Sequence, residues 1–105
     1  MNDTLGGLLS TQAPMLAALA RLAQTHPDLP GAYLTTSDIT PGEAHALLDH
    51  PSDVEAWREA LHMDSTDVAI TTRKDQTKLG FTVPLGSISL HVYALFPLAT
   101  QVVTA

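Results

Sequence analysis

Apolar and polar residues alternate with a period of two through most of the last third of the chain. The alternation runs through residues 79–85 and 88–96, with a shorter stretch at residues 68–72. Successive side chains of a strand point to opposite faces of a sheet, so this period is typical of strands with one buried face. We therefore predict three consecutive strands in an antiparallel meander, with turns at Arg73–Lys78 and at Gly86, where glycine is free to adopt positive φ.

Two other segments have the spacing of an amphipathic helix. From Ser10 or Thr11 onward, apolar residues recur every three or four positions, and the pattern ends before Pro27. The second segment begins at the sequence Ser52-Asp-Val-Glu55, which has the form of a capping box and predicts a helix over residues 52–62.

The region between these helices is ambiguous. Residues 31–39 are rich in strand formers and predict a strand. The following Thr40-Pro-Gly-Glu43 resembles a capping box with proline at the first helical position, but it is also turn chemistry. Residues 43–49 are therefore either a short helix or the second strand of a hairpin. We favour the hairpin, because the next helix follows almost at once.

These elements define one predicted fold class. A chain of 105 residues has the usual size of a single domain. We expect residues 1–10 to form a flexible leader and residues 11–105 a single α+β domain with the order α-β-β-α-β-β-β. In this fold an antiparallel sheet of about five strands carries both helices on one face, and Trp57, the only tryptophan, is buried between them.

The charge of the chain is distributed unevenly. The net charge is −6, with ten acids and two bases in residues 1–67 and one acid and three bases in residues 68–105. An acidic protein gains little from contacts with phosphates, so this balance disfavours nucleic-acid binding. There is no cysteine, which excludes disulfides and thiolate chemistry and is consistent with a cytoplasmic protein.

Neither membrane insertion nor secretion is indicated by the sequence. The longest run without a charged residue, 79–105, contains Pro84 and Pro97 and alternates like strands, which disfavours a transmembrane helix. The first twelve residues carry Asp3 and no lysine or arginine, and they lack the apolar stretch of a signal peptide. We expect a soluble cytoplasmic protein with no membrane partner.

No motif of catalysis or cofactor binding is present. The five histidines include no pair at a spacing that places two imidazoles on one helical face. His45, Asp49 and His50 are close in sequence, but a metal site needs three or four convergent ligands, and one local cluster is weak support. Serine-nucleophile and phosphate-loop patterns are missing as well. The sequence therefore predicts no catalytic residue, no metal site and no cofactor, and it favours a protein that is not an enzyme.

Three segments of the chain resemble small uncharacterised actinobacterial proteins. The segments are Ala20-Arg-Leu-Ala23, His26-Pro-Asp-Leu-Pro30 and Glu55-Ala-Trp-Arg-Glu-Ala-Leu61. Such proteins are frequent in streptomycetes and sometimes lie near mobile elements or phage genes. The resemblance implies a lineage and supports a strand at residues 43–49, but it implies no activity.

The predicted sheet has a second face that two helices are too few to cover. That face is expected to be uncharged and rich in hydroxyl groups. It should carry Tyr33, Thr35, Thr71, Thr82, His91 and Tyr93. Tyrosine is enriched and charge is depleted at the centres of protein interfaces, so these residues are a candidate protein-contact face. We expect a small interaction module that binds a protein partner or forms a homodimer centred on His91 and Tyr93.

Two alternative functions remain open. The first is an acidic inhibitor, encoded by a phage or mobile element, whose carboxylates occupy the nucleic-acid-binding site of another protein. The second is a small enzyme of unknown class. Salt distinguishes the inhibitor from the interaction module, because screening weakens contacts between exposed charges much more than it weakens apolar contacts.

Overall fold

Five strands form one mixed sheet in the computed structural model, which describes residues 7–97. The helices and strands are α1 (Ala13–Thr25), β1 (Tyr33–Thr35), β2 (Glu43–Leu48), α2 (Pro51–Ala60), β3 (Ala69–Arg73), β4 (Gln76–Leu85) and β5 (Ile88–Pro97). Short 3-10 helices at Leu9–Gln12 and Ser65–Asp67 precede α1 and β3, and the predicted element order lacked both. The α+β class, the five strands and the two helices agree with the prediction.

The strands are arranged in the order β1-β2-β5-β4-β3. Three neighbouring pairs are antiparallel, but β2 is parallel to β5, with His45 beside His91. The prediction of a purely antiparallel sheet is therefore wrong at one pair. Parallel neighbours need a long crossover connection, and here α2 and the β3–β4 hairpin separate β2 from β5 along the chain.

The ambiguous segment after residue 40 is a turn followed by a strand. The amide of Glu43 donates to the carbonyl of Thr40 at 3.1 Å, and β2 then pairs antiparallel with β1. This confirms the hairpin. The first strand is shorter than predicted, because only Tyr33–Thr35 pair with β2.

The second helix begins differently from its prediction. Pro51 is its first residue and His50 its N-cap, and no side-chain hydrogen bond caps it. The prediction that Ser52 caps this helix is therefore wrong. Pro51 takes the first helical position instead, which suits proline because the amide at that position has no partner within the helix. Neither helix in residues 7–97 has the length and apolar character needed to cross a bilayer.

The start of the described chain contacts the loop after β1. The amide of Gly7 donates to the Asp38 carboxylate at 3.0 Å, and Leu9 begins a 3-10 helix that leads directly into α1. Residues 1–6 of the predicted leader lie outside the described residues.

Both helices pack on one face of the sheet and form a single core with it. The core consists of Met15, Ala18, Leu19 and Leu22 from α1, Val54 and Trp57 from α2, and Ala44, Ala46, Leu48, Phe81, Val83, Ile88, Leu90, Val92 and Ala94 from the sheet. The predicted burial of Trp57 is confirmed, because its side chain is 5% exposed. Its indole N–H donates to the carbonyl of Pro30 at 2.9 Å, which joins α2 to the loop before β1.

The helices cover the central strands more fully than the edges. Leu34 and Ile70 have the register of the helix-facing side, opposite Ala46 and Leu79 respectively. They are nevertheless 46% and 71% exposed. Both residues therefore lie on the helix side of the sheet but beyond the area that the helices cover.

Candidate functional site

The six residues of the predicted contact face lie on one side of the sheet. One row across the strands places Thr35 beside His45, His45 beside His91, and His91 beside Thr82. In the next row Tyr33 is paired with Leu47 and Leu47 with Tyr93, and Thr71 is paired with Lys78 further along. All these positions alternate with the core residues, so they point away from the helices. We call this surface the open face.

The open face is not uncharged, contrary to the prediction. Glu43 lies at one end of it, beside Ser89, whereas Lys78 lies toward the other end, beside Leu95. The face has an acidic end and a basic end with tyrosine, leucine and histidine between them. The prediction omitted Lys78 because it placed Arg73–Lys78 in a turn, whereas β3 extends to Arg73 and β4 begins at Gln76. It omitted Glu43 because it assigned no residue of the second strand to this face.

Two imidazoles stack at the centre of the parallel β2–β5 pair. The ring centroids of His45 and His91 are 4.8 Å apart, and their planes differ by 15°. Glu43 precedes His45 by two residues and so projects from the same face of β2. One possible ligand atom from each of Glu43, His45 and His91 lies within 4.8 Å of the other two. We call these three residues the Glu-His-His cluster.

Thr82 fixes the orientation of one member of this cluster. Its hydroxyl Oγ1 is 2.9 Å from Nδ1 of His91. When Nδ1 carries the proton and donates to Thr82, the lone pair of Nε2 is free to bind a ligand. Both histidines are half-buried, while Glu43 is exposed. This arrangement, in which an imidazole is oriented by a second polar group, is common among metal-binding histidines.

A concave pocket of about 400 Å³ adjoins His91 on the opposite side from His45. It is lined by Thr71, Lys78, Gly80, Thr82, His91 and Tyr93, together with residues of the segment before β3. Gly80 has no side chain to fill the space, and Tyr93 lies directly across from it. The ammonium of Lys78 is 4.8 Å from the centre of the Tyr93 ring, a cation–π contact that anchors this lysine to the face.

The sequence does not predict the Glu-His-His cluster, because His91 is distant in sequence from Glu43 and His45. Glu43 and His45 are two residues apart on a strand, and this spacing, like three or four residues on a helix, places two side chains on one face. That local signal was available. The contribution of His91 depends on the parallel pairing and had no local signal. His45 converges with these partners and not with Asp49 and His50, its neighbours in the sequence.

Comparison of the chain with protein-family models, with curated proteins and with solved structures finds no match.

Proposed function

We propose that this chain is a small interaction protein that forms a homodimer through its open face. The observation that carries this proposal is a sheet with both helices on one side and an uncovered second side in residues 7–97. The middle row of that side contains Tyr33, Leu47 and Tyr93, of which Tyr33 is 71% exposed. Protein interfaces usually have tyrosine and apolar groups at the centre and charged groups toward the edge, and the open face has this composition.

The positions of the charges favour a second copy of the chain as the partner. Glu43 and Lys78 lie on the two strands that flank β5, toward opposite ends of the face. A two-fold axis that lies in the plane of the interface, passes between His91 and Tyr93 and is perpendicular to the line from Glu43 to Lys78 brings Glu43 of each copy toward Lys78 of the other. Identical surfaces meet in such a dimer, and the opposite charges become complementary.

The area of the open face sets the expected strength of the association. Strands about 4.8 Å apart and about six residues long give a five-stranded sheet a face of roughly 500 Å². Two copies would bury about 1,000 Å², which is near the lower limit for a specific interface. We therefore expect a dimer that dissociates on dilution.

Light scattering coupled to size exclusion tests this proposal over a range of protein concentrations. The mass should rise from 11.2 kDa toward twice that value as the concentration increases through the micromolar range. Leu47→Lys, in the middle of the open face, should keep the chain monomeric. The matched control is Leu16→Lys, which places the same charge at an exposed leucine of α1 on the opposite side. A monomer at every concentration, or equal effects of the two variants, would contradict the proposal.

Salt provides a second readout. Association through the apolar centre should persist at high ionic strength, since only the Glu43–Lys78 contacts are screened. Loss of the dimer on moderate addition of salt would indicate that charge pairing supplies most of the affinity.

A further inference from the structure

We propose that the Glu-His-His cluster binds one divalent transition-metal ion, with Zn²⁺ as the probe that tests it. The three residues come from one chain, so the site is complete without the proposed dimer, but it lies on the same open face and would compete with the dimer for the Glu43 carboxylate. Two imidazoles and one carboxylate form a donor set that suits Zn²⁺ and neighbouring transition metals, while Mg²⁺ and Ca²⁺ prefer oxygen donors.

The backbone already brings the three donors together. His45 and His91 are direct neighbours in the parallel pair, and Glu43 lies one row away on the same face. Two donors on a tetrahedral zinc are about 3.4 Å apart, given bond lengths near 2.1 Å. The donors here are within 4.8 Å of one another, so rotation of the side chains is sufficient to close the distance. The exposed Glu43 side chain is free to make most of this adjustment.

The second contact of His91 also fits a ligand role. A bond from Nδ1 to Thr82 Oγ1 directs Nε2 of the same ring to the metal. In residues 7–97 the ion pairs all involve Arg58, on the other side of the sheet, so the Glu43 carboxylate is not paired with a cation of its own copy. With three protein ligands, a fourth coordination position remains for water or for another molecule.

Calorimetric titration of the full chain with Zn²⁺ is the first measurement, after removal of any histidine tag and treatment with a chelator. We expect one Zn²⁺ per chain, with no competition from millimolar Mg²⁺. Glu43→Gln, His45→Gln and His91→Gln should each weaken binding by more than the roughly tenfold that loss of an outer-shell partner causes. The matched control His50→Gln, an exposed histidine outside the cluster, should bind as the wild type does.

The variant Thr82→Val tests whether Thr82 orients the His91 imidazole, because Thr82 is not itself one of the three metal ligands. This variant keeps the shape of the side chain and removes the oxygen that contacts Nδ1 of His91. We expect a loss of Zn²⁺ affinity of about tenfold, smaller than the loss in the ligand variants. The imidazole ¹⁵N signals should also show a changed tautomer balance at His91 in the metal-free protein.

The imidazole ¹⁵N spectrum of the wild type gives a readout that does not depend on any variant folding. Zn²⁺ should shift the signals of His45 and His91 and leave those of His26, His50 and His62 in place. Absence of binding below millimolar Zn²⁺, shifts at other histidines instead, or unchanged affinity in the ligand variants would overturn the proposal. Light scattering with and without Zn²⁺ reports the mass separately, so failure of the dimer and failure of the metal site are distinguishable.

Discussion

Gly80 lies directly opposite Tyr93 in the β4–β5 pair, at a distance that leaves no space for a side chain. A Cβ atom on Gly80 would be 2.6 Å from the Cβ of Tyr93 and 2.4 Å from the carbonyl oxygen of Val92. The glycine thus allows β4 and β5 to approach closely, and it leaves open the floor of the pocket beside His91. The core of the sheet and the shape of the open face both depend on this one position.

Gly80→Ala should therefore destabilise the protein. The added methyl group meets backbone atoms, which cannot rotate away, so we expect the free energy of unfolding to fall by about 1–3 kcal/mol. Urea denaturation followed by tryptophan fluorescence measures this change. Gly31→Ala is the control, because an added Cβ there meets nothing within 4 Å. Equal stability of the two variants would show that the strands separate easily at Gly80.

Gly86 is a second glycine with a specific role, at the turn between β4 and β5. Its φ is +67°, in the left-handed region, and an added Cβ would have open space around it. Gly86→Ala should therefore act through backbone strain alone and cost roughly 1–2 kcal/mol. Thermal unfolding beside the control Gly42→Ala tests this, since Gly42 has neither a positive φ nor a close neighbour. A loss of stability shared equally by both variants would argue against strain at Gly86.

The elements that could be predicted from the sequence are those determined by local pattern. The period-two alternation predicted β3, β4 and β5, and with them the positions of Thr71, Thr82, His91 and Tyr93 on the open face. The order of the strands could not be obtained in this way. Placement of β2 beside β5 depends on burial of Ala44 and Ala46 against the helices, which is a property of the assembled core.

The same limit explains why the candidate metal site was missed. His45 and His91 are 46 positions apart in the numbering, and only the parallel pairing places their rings in contact. The error at Ser52 has a different, local cause. Pro51 and Ser52 each suit the start of a helix, and the structure shows that the proline takes the first helical position.

Trp57 links the second helix to the loop before β1 through its indole N–H. Trp57→Phe keeps most of the apolar ring but removes the donor to Pro30, so it should cost about 1–3 kcal/mol. Trp57→Ala also leaves a cavity and should cost about 3–5 kcal/mol. Denaturation followed by circular dichroism is suitable, because both variants lack the fluorescent side chain. If the phenylalanine variant is as stable as the wild type, the hydrogen bond contributes little and the packing of the ring supplies the stability.

The Arg58 guanidinium connects α2 to the segment that follows it. Its Nε donates to both carboxylate oxygens of Glu55, at 3.1 and 3.0 Å, and Nη1 donates to the carbonyl of Met63. The hydrogen bond from Arg58 lowers the pKa of Glu55 below its ordinary value of 4.5. The same contact raises the pKa of Arg58.

This lowered pKa predicts how the effect of Glu55→Gln depends on pH. A group whose pKa is lower in the folded state stabilises the protein above its unfolded pKa, and that contribution is lost as the pH falls through the folded pKa. The variant should therefore unfold at a lower temperature than the wild type at neutral pH, and the difference should shrink below about pH 4.5. The shift in melting temperature should be small, because the Glu55 side chain is 57% exposed and solvent screens the pair.

Glu59→Gln is the matched control in the same helix. The Glu59 carboxylate is 3.7 Å from Arg58, so this variant should give a smaller difference in melting temperature. A difference in melting temperature that stays constant from neutral to acidic pH would mean that the Glu55–Arg58 pair does not stabilise the fold.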